Sequence, residues 1–558
     1  MKPGYVFPLI FALVLAIGLG VAQDNGESFF APADLIYVES STGLGVPALE
    51  AGRTEVEMGD VNGDGHIDLV SIGDHGSPYV NTNEHGVMVW FGNGQGSWVV
   101  FQNGNFGYGG VALGDANHDG WMDVGYAMHH NYSSNDFGDQ LIEVALGDGT
   151  GRNWQPWDDG LATNGETYGM FGTDFADVDN DGDLDIASNS FGCCAGVHVY
   201  RNHGDGTWSQ SFGFLGGNST DDITFGDVNG DGFADLAAAN QLGTVYLGDG
   251  MGGFQLADGN LPPGGTQGRY GIALGDVNND GRDELAFCLP GAGPAVWAWG
   301  PGNIWQNLSG GLPQQVACRG TQLYDMNGDG YRDLTVFIEG GNVRVFTGDG
   351  QGNWTQAASF LVPERYYSAM RVGGDADHNG FPDIALVAQA GGFNGRNRLR
   401  FFKEASVPSV LSIQPVEPNG GEVFYAGSVH FVDWLSAVPG GVTGTVQIDL
   451  STTGPGGPWL PIASELPNNG RYQWHIPANI SPSTSNCYLR FTVTAGQGSA
   501  QAQTTAPFTI IASPVTPTPT PLATNPPTPT PAATRTATFT PVPPGYMVYL
   551  PLVMKSPP

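Results

Sequence analysis

The nine residues Asp60-Val61-Asn62-Gly63-Asp64-Gly65-His66-Ile67-Asp68 decide the fold of this chain, because the same pattern recurs six more times. Oxygen-bearing side chains occupy positions 1, 3, 5 and 9 of the pattern, and glycine occupies position 6. Carboxylate and amide oxygens at this spacing converge on a hard cation, and glycine permits the sharp turn that brings them together. The stretch therefore predicts a cation-binding loop that occurs seven times.

The copies are regularly spaced, and each is flanked by strand-like sequence. They begin 49 to 62 residues apart, at Asp60, Asp115, Asp177, Asp227, Asp276, Asp325 and Asp375. An apolar strand precedes each loop, a second follows it, a third alternates as in 245–247, and a fourth opens on an aromatic residue such as Trp98. Four strands in about 50 residues are typical of a propeller blade.

A ring of seven blades explains one irregularity in the pattern. A lone four-stranded sheet cannot bury both faces, whereas each blade in a ring packs on the next. The seventh repeat lacks a complete fourth strand after 399–402, and 35–38 is a spare strand. We predict that the spare strand completes the last blade and closes the ring. The alternative is a linear stack, which would need capping units at its ends.

The loops, together with the stretch 245–254 (VYLGDGMGGF) and its counterparts, resemble the FG-GAP/VCBS repeats of integrin-alpha-like β-propellers. The resemblance covers about 35–403. It implies that each calcium loop is a hairpin between the first two strands of a blade, on the lower face of the ring. It also implies that a ligand binds the opposite face.

Oxygen-only ligands favour calcium over zinc or copper, with magnesium as the runner-up and metal-free acidic turns as the remaining alternative. Up to seven Ca²⁺, one per blade, are expected. The expected ligands are Asp60, Asn62, Asp64, Asp68, Asp115, Asn117, Asp119, Asp123, Asp177, Asp179, Asp181, Asp185, Asp227, Asn229, Asp231, Asp235, Asp276, Asn278, Asp280, Glu284, Asp325, Asn327, Asp329, Asp333, Asp375, Asp377, Asn379 and Asp383.

The whole chain is predicted to be all-β, with the period ending after about residue 406. We assign 1–22 to a signal peptide, 29–406 to a seven-bladed FG-GAP/VCBS β-propeller and 408–512 to an Ig-like or fibronectin-like β-sandwich. The sandwich assignment depends on alternating strands such as 446–450 and on Trp434 and Trp474 as core residues. A Pro/Thr-rich linker, 513–544, is expected to be disordered, and 545–558 form a short apolar tail that offers a means of attachment to a cell surface.

Composition limits the partners and the compartment. The net charge is −36 and there are only 19 Lys and Arg residues, so nucleic acid is not an expected partner. The short apolar run after Lys2 ends in small residues, which predicts export, and no later segment is long enough to span a membrane. Cys288 and Cys318 lie in neighbouring repeats and are spaced to bridge them, and a bond between Cys193 and Cys194 would be strained. Unpaired thiols are the alternative.

Catalytic motifs of the G-x-S-x-G and H-E-x-x-H types are absent from the sequence. Polar and aromatic residues instead collect in the long connections of repeats one and two, at His75, Tyr79, His85, His129, His130 and Tyr132. Such residues suit recognition of a sugar or peptide, and solvated loop residues are the alternative. We therefore predict a secreted or cell-surface, non-enzymatic adhesion or ligand-binding protein for an extracellular glycan or protein. The alternatives are a calcium-dependent polysaccharide lyase or glycoside hydrolase and a structural surface-layer component.

Overall fold

The computed structural model describes residues 35–512 apart from 46–51, 74–85, 102–106, 130–139, 167–168, 193, 267, 392–394, 441 and 481–484. Every regular element in this part of the chain is a β-strand. Within it, no helix has the length and apolar character needed to cross a membrane. The predicted signal peptide, Pro/Thr-rich linker and apolar tail lie outside the described residues.

Seven four-stranded antiparallel sheets, here called blades one to seven, follow one another along the chain. The first strand, β1 (Tyr37–Glu39), belongs to the last blade. Blades one to three consist of β2 (Glu57–Gly59), β3 (Asp68–Gly73), β4 (Gly86–Gly92), β5 (Trp98–Phe101); β6 (Gly109–Gly114), β7 (Asp123–Met128), β8 (Ile142–Gly147), β9 (Trp154–Pro156); and β10 (Met170–Ala176), β11 (Asp185–Ser190), β12 (Val197–Asn202), β13 (Trp208–Phe214).

Blades four to seven repeat the same order of strands, from the first to the fourth. They consist of β14 (Ser219–Gly226), β15 (Asp235–Asn240), β16 (Gly243–Gly248), β17 (Phe254–Leu256); β18 (Tyr270–Gly275), β19 (Glu284–Leu289), β20 (Gly293–Gly300), β21 (Ile304–Asn307); β22 (Cys318–Tyr324), β23 (Asp333–Ile338), β24 (Asn342–Gly348), β25 (Trp354–Leu361); and β26 (Tyr366–Val372), β27 (Ile384–Ala390), β28 (Arg396–Glu404), with β1 as the fourth strand.

Packing between blades explains why the second strands are buried on both faces. All six residues of β3 and of β7 are buried. Val70 and Val89 of blade one share one core cluster with Val111 and Tyr126 of blade two. Each blade thus covers its neighbour, as the all-β propeller predicted from the sequence requires.

The N-terminal strand joins blade seven, which confirms the pairing predicted for 35–38. Tyr37 lies opposite Glu404 and Glu39 lies opposite Phe402 in the antiparallel register of β1 and β28. Blades seven and one also meet directly, because Arg371 forms an ion pair with Glu57. Leu44 and residues of both blades share a core cluster, so the ring is closed.

After the ring, residues 412–512 form three further sheets, here called the C-terminal module. Trp434, Trp474 and Phe491 lie in one buried cluster to which all three sheets contribute. Its strands are β29 (Ser412–Glu417), β30 (Val423–Ala426), β31 (Val429–Ala437), β32 (Thr445–Ser451), β33 (Leu460–Pro467), β34 (Arg471–His475), β35 (Tyr488–Ala495), β36 (Gly498–Gln503) and β37 (Thr509–Ala512), in the sheets β29-β31-β34, β30-β37 and β33-β32-β35-β36. The ring and the module belong to one compact unit.

A disulfide between Cys288, in β19, and Cys318, in β22, links blades five and six. This is the bridge that the sequence placed among its alternatives. Cys194 is also disulfide-bonded, and Cys193 lies outside the described residues.

The Cys288–Cys318 bond spans a sequence separation of 30 residues. Replacing both cysteines with alanine is expected to lower the free energy of unfolding by about 3 kcal/mol, because the unfolded chain regains the conformational entropy that the cross-link removes. Denaturant unfolding of the wild type and of the double variant measures this difference. Equal stabilities, with the bond verified by mass spectrometry, would contradict the expectation.

Candidate metal centres

The seven repeated loops connect the first strand of each blade to the second, so all of them lie on one side of the ring, here called the loop face. Position 9 opens the second strand in blades one to six, as Asp68 does in β3, and Asp383 directly precedes β27. The hairpin geometry implied by the resemblance is therefore present. The other end of the ring is here called the opposite face.

Loop one shows how the side chains fold inward. The Asp64 N–H donates to Asp60 Oδ1 and Asn62 Oδ1 at 3.0 Å each. The Gly65 N–H donates to Asp60 Oδ2 at 2.8 Å, and Gly65 has a φ of 84°. Because an L side chain is strained at such an angle, position 6 requires glycine. The acceptor oxygens are thereby held around the centre of the turn.

The other loops repeat this arrangement closely. In all seven, the N–H of the position-6 glycine donates to the position-1 aspartate, at 2.7–3.1 Å. The repeated residues thus form the same local structure in each blade.

The acid at position 9 has a second role that the sequence analysis missed. Asp68 accepts the Val61 N–H through Oδ2 at 3.2 Å and the Gly92 N–H, at the end of the third strand, through Oδ1 at 2.9 Å. Equivalent bonds join Asp123 to Ala116 and Gly147. One buried carboxylate therefore ties the loop to two strands. The only sequence signal for this role is the invariant acid at the start of the second strand in the seven repeats.

Burial makes these carboxyl groups hard to ionise without a cation. Burial, followed by repulsion from neighbouring loop acids, raises the pKa of Asp68, Asp123 and Asp235 to about 8, although backbone N–H donors act against it. Burial likewise raises the pKa of Glu284 to about 9. A cation at the loop centre would offset both burial and repulsion.

Loops three and seven hold the most compact acidic clusters found in the described residues. Carboxylate oxygens of the acids at positions 1, 3 and 9 lie within 4.8 Å of one another in each, namely Asp177, Asp179, Asp185 and Asp375, Asp377, Asp383. These are the two loops with aspartate rather than asparagine at position 3.

The position-3 acids of these two loops each leave one oxygen for a cation. Asp179 Oδ2 pairs with Arg201 at 3.0 Å, and Asp377 Oδ2 pairs with Lys403 at 2.6 Å. In both residues Oδ1 is buried and accepts no hydrogen bond. A buried carboxylate oxygen without a donor is costly, and a cation would satisfy it. The donor set therefore fits a hard cation.

Loop five differs from the others. The position-7 residue, Arg282, pairs with the position-5 carboxylate of Asp280 at 2.7 Å. Asn278 Nδ2 donates to Glu284 Oε1 at 2.9 Å. An internal guanidinium therefore neutralises the position-5 carboxylate, which accepts a neutral asparagine amide in place of a guanidinium in loops one, two, four and six. Loop five is accordingly the weakest candidate of the seven.

One of the candidate ligand residues, His129, is described, and it lies at the opposite face in an aromatic cluster. Its ring is 4.9 Å from that of Tyr108 and stacks 5.6 Å from that of Phe171, between ring centroids. Phe171 is 5.7 Å from Phe191, and the Arg53 guanidinium lies 5.8 Å from the Phe191 centroid. We call these five residues the aromatic cluster. His75, Tyr79, His85, His130 and Tyr132 lie outside the described residues.

Three stretches of the chain are similar to a known repeat. A model of the FG-GAP-like repeat matches residues 60–126, 190–238 and 325–386. A crystal structure of a protein from Lactobacillus plantarum is 13% identical, with a TM-score of 0.37, over 63% of this chain and 97% of that one. The crystal structure of an ancestral GH74 enzyme is 14% identical, with a TM-score of 0.37, over 83% of this chain and 60% of that one.

Proposed function

We propose that this chain, three stretches of which match the FG-GAP-like repeat, is a secreted or cell-surface, calcium-stabilised β-propeller that binds an extracellular glycan or protein without catalysing a reaction on it. In this proposal the metal loops belong to the construction of the ring. The ligand binds at the opposite face.

The repetition of the loops supports a structural role for calcium. A loop that ties together three strands is needed in every blade, as the two bonds of Asp68 illustrate. Extracellular modules commonly bind calcium with dissociation constants of about 10⁻⁴–10⁻³ M, so such sites are filled outside the cell. Calcium bound at every blade cannot by itself distinguish one ligand from another.

The observation that carries the proposal is the difference between the two faces. The C-terminal module packs on the loop face, where for example the Tyr425 ring stacks on Phe233 of loop four, 4.9 Å away. The aromatic cluster lies at the other end of the ring, and in the sequence His129 directly precedes the long connection of repeat two. Specific recognition is expected where the repeats differ.

The chemistry of the aromatic cluster suits a glycan or peptide. Tyr108 and His129 offer flat apolar area with polar edges, which sugars and peptide side chains both contact. Arg53 adds a positive charge to a strongly acidic protein.

Ligands are to be identified on glycan and extracellular-protein arrays with the full chain in calcium. Tyr108→Ala and His129→Ala are then expected to weaken binding about ten-fold or more, because removal of a central aromatic contact has effects of this size. Tyr366→Ala is the matched control, since Tyr366 is an exposed tyrosine at the start of the first strand of blade seven. Its affinity is expected to equal that of the wild type.

Two results would contradict the proposal. Equal affinities of all three variants would exclude the aromatic cluster as the site. Release of reducing or unsaturated sugar ends from a bound glycan by the purified protein would show an enzyme, and would support the lyase or hydrolase alternative instead.

A further inference from the structure

The C-terminal module contacts metal loops two to seven. These contacts, in blade order, come from Gln473, Val429, Tyr425, Asn419, Gln414 and Val438. Contacts to six successive loops place the module across the loop face of the ring. The loop face is therefore a docking surface for residues 412–512 of the same chain.

Two of these contacts reach the candidate metal ligands themselves. The Val429 N–H donates to Asp177 Oδ2 at 3.0 Å, and Gln414 Nε2 donates to Asp325 Oδ2 at 3.0 Å. Both acceptors are position-1 carboxylates, and in each the same oxygen also accepts the position-6 N–H. The other oxygen of each carboxylate accepts the N–H of the position-5 residue of its own loop, at 3.2 Å in both. One residue thus connects a cation site to the module.

Other contacts depend on the backbone of the loops. The Tyr425 hydroxyl donates to the Asp231 carbonyl at 3.1 Å, and the Val438 N–H donates to the His378 carbonyl at 2.7 Å. The Gln473 amide both accepts from the Asp115 N–H and donates to the Asp115 carbonyl, at 2.9 and 2.8 Å. These bonds form only when each turn holds its closed shape.

Repulsion between carboxylates destabilises the closed shape of the loops when no cation is bound. Each loop brings three to five acidic side chains into nine residues, and the module adds Glu417, Glu422 and Asp433 at the same face. Arg332 pairs with Glu417, and Arg471 pairs with Asp433. The remaining like charges repel one another at short distance, and cations in the loops would weaken this repulsion.

The docked module also closes the central channel. A cavity of about 420 Å³ lies between the first strands of the blades and the module, and Glu57, Asp174 and Arg371 of the ring and Arg471 of the module are among its lining residues. Movement of the module would open this cavity at the loop face.

We propose that calcium binding in the loops latches the C-terminal module onto the ring and thereby keeps the central cavity closed. The proposal rests on the calcium binding proposed above and adds a coupling between that binding and the docking of the module. Because such coupling is reciprocal, contacts made by the module must in turn raise the affinity of the loops for calcium.

The test uses the full-length protein with substitutions at residues of the module that are not predicted metal ligands. Tyr425→Phe removes only the hydroxyl that donates to Asp231, and Gln414→Ala removes the amide that donates to Asp325. Both are expected to lower calcium affinity about five-fold or more, measured by calorimetric titration. Leu460→Ala, at an exposed residue of β33, is the matched control and is expected to leave the affinity unchanged.

A second measurement follows the module itself. Hydrogen exchange of the wild type is expected to accelerate on chelation in β30 and β34, while β35 in the module core remains protected. The latch is wrong, and the calcium proposal stands, if calcium binds with the same affinity to the variants and the wild type and chelation does not change exchange in β30 and β34. If the wild type binds no calcium, the calcium proposal fails and the latch fails with it.

Discussion

Chelation of calcium is expected to lower the melting temperature of the propeller by about 10 °C. At about 10 mM free calcium, about 100 times a dissociation constant of about 10⁻⁴ M, each site adds about 2.7 kcal/mol of stability, so four filled sites add about 10 kcal/mol. Burial raises the pKa of loop acids such as Asp68 and Asp227, so their ionised, metal-binding form is costly unless a cation is bound. Differential scanning calorimetry in calcium and in EDTA measures the shift.

Two controls separate calcium from general effects of charge. Magnesium at the same concentration is expected to restore much less stability, because it requires tighter octahedral geometry than these loops provide. Asp249→Asn alters an exposed acid that accepts the N–H groups of Met251 and Gly253 in a different turn, and it is expected to leave the calcium-dependent shift unchanged. An identical melting temperature in EDTA, together with metal-free purified protein, would refute the metal assignment.

Loss of the N-terminal strand is expected to open the ring. Removal of the chain up to Ser40 deletes β1, exposes the edge of β28 and removes the buried side chain of Leu35 and the ion pair of Glu39 with Arg400. Loss of one buried leucine and several hydrogen bonds corresponds to about 5 kcal/mol. Urea unfolding of the truncated and intact proteins in calcium measures this difference.

A single substitution tests the same strand more finely. The Ser40 N–H donates to the Phe401 carbonyl at 2.8 Å, and proline has no N–H to replace it. Ser40→Pro is expected to lower the free energy of unfolding by about 2 kcal/mol, whereas Ser40→Ala keeps the N–H and is expected to have little effect. Equal stability of the proline variant and the wild type would show that β1 is not needed for closure.

Sequence periodicity predicted the ring well because each repeat unit is formed mainly by interactions between residues close together in the sequence. The residues from Asp60 to Asp68 contain the glycine, the turn and the acceptors within nine positions, and their copies fold in the same way. The spare strand at 35–38 was predictable by counting strands, since an incomplete seventh blade leaves one place open. The hydrogen bond that Asp68 accepts from the Gly92 N–H was not predicted, because its two partners lie 24 residues apart in the sequence.

The relation between the ring and the module could not be predicted in this way. The sequence predicts 408–512 as a separate β-sandwich domain, yet the Val429 N–H donates to Asp177 across a separation of 252 residues. No periodicity or motif marks such a pair, because each partner follows the pattern of its own domain. The contact exists only after both domains have folded and their surfaces have met.

The sequence by itself determined the repeat, its strands and the oxygen donors of each loop, because hydrogen bonds within a hairpin involve neighbouring residues. The tertiary structure alone decided which face of the ring is covered, which residues gather at the opposite face and which loop oxygens a second domain contacts. The physical reason is that these arrangements arise from packing between elements far apart in the chain, where the fit of two completed surfaces selects the contact.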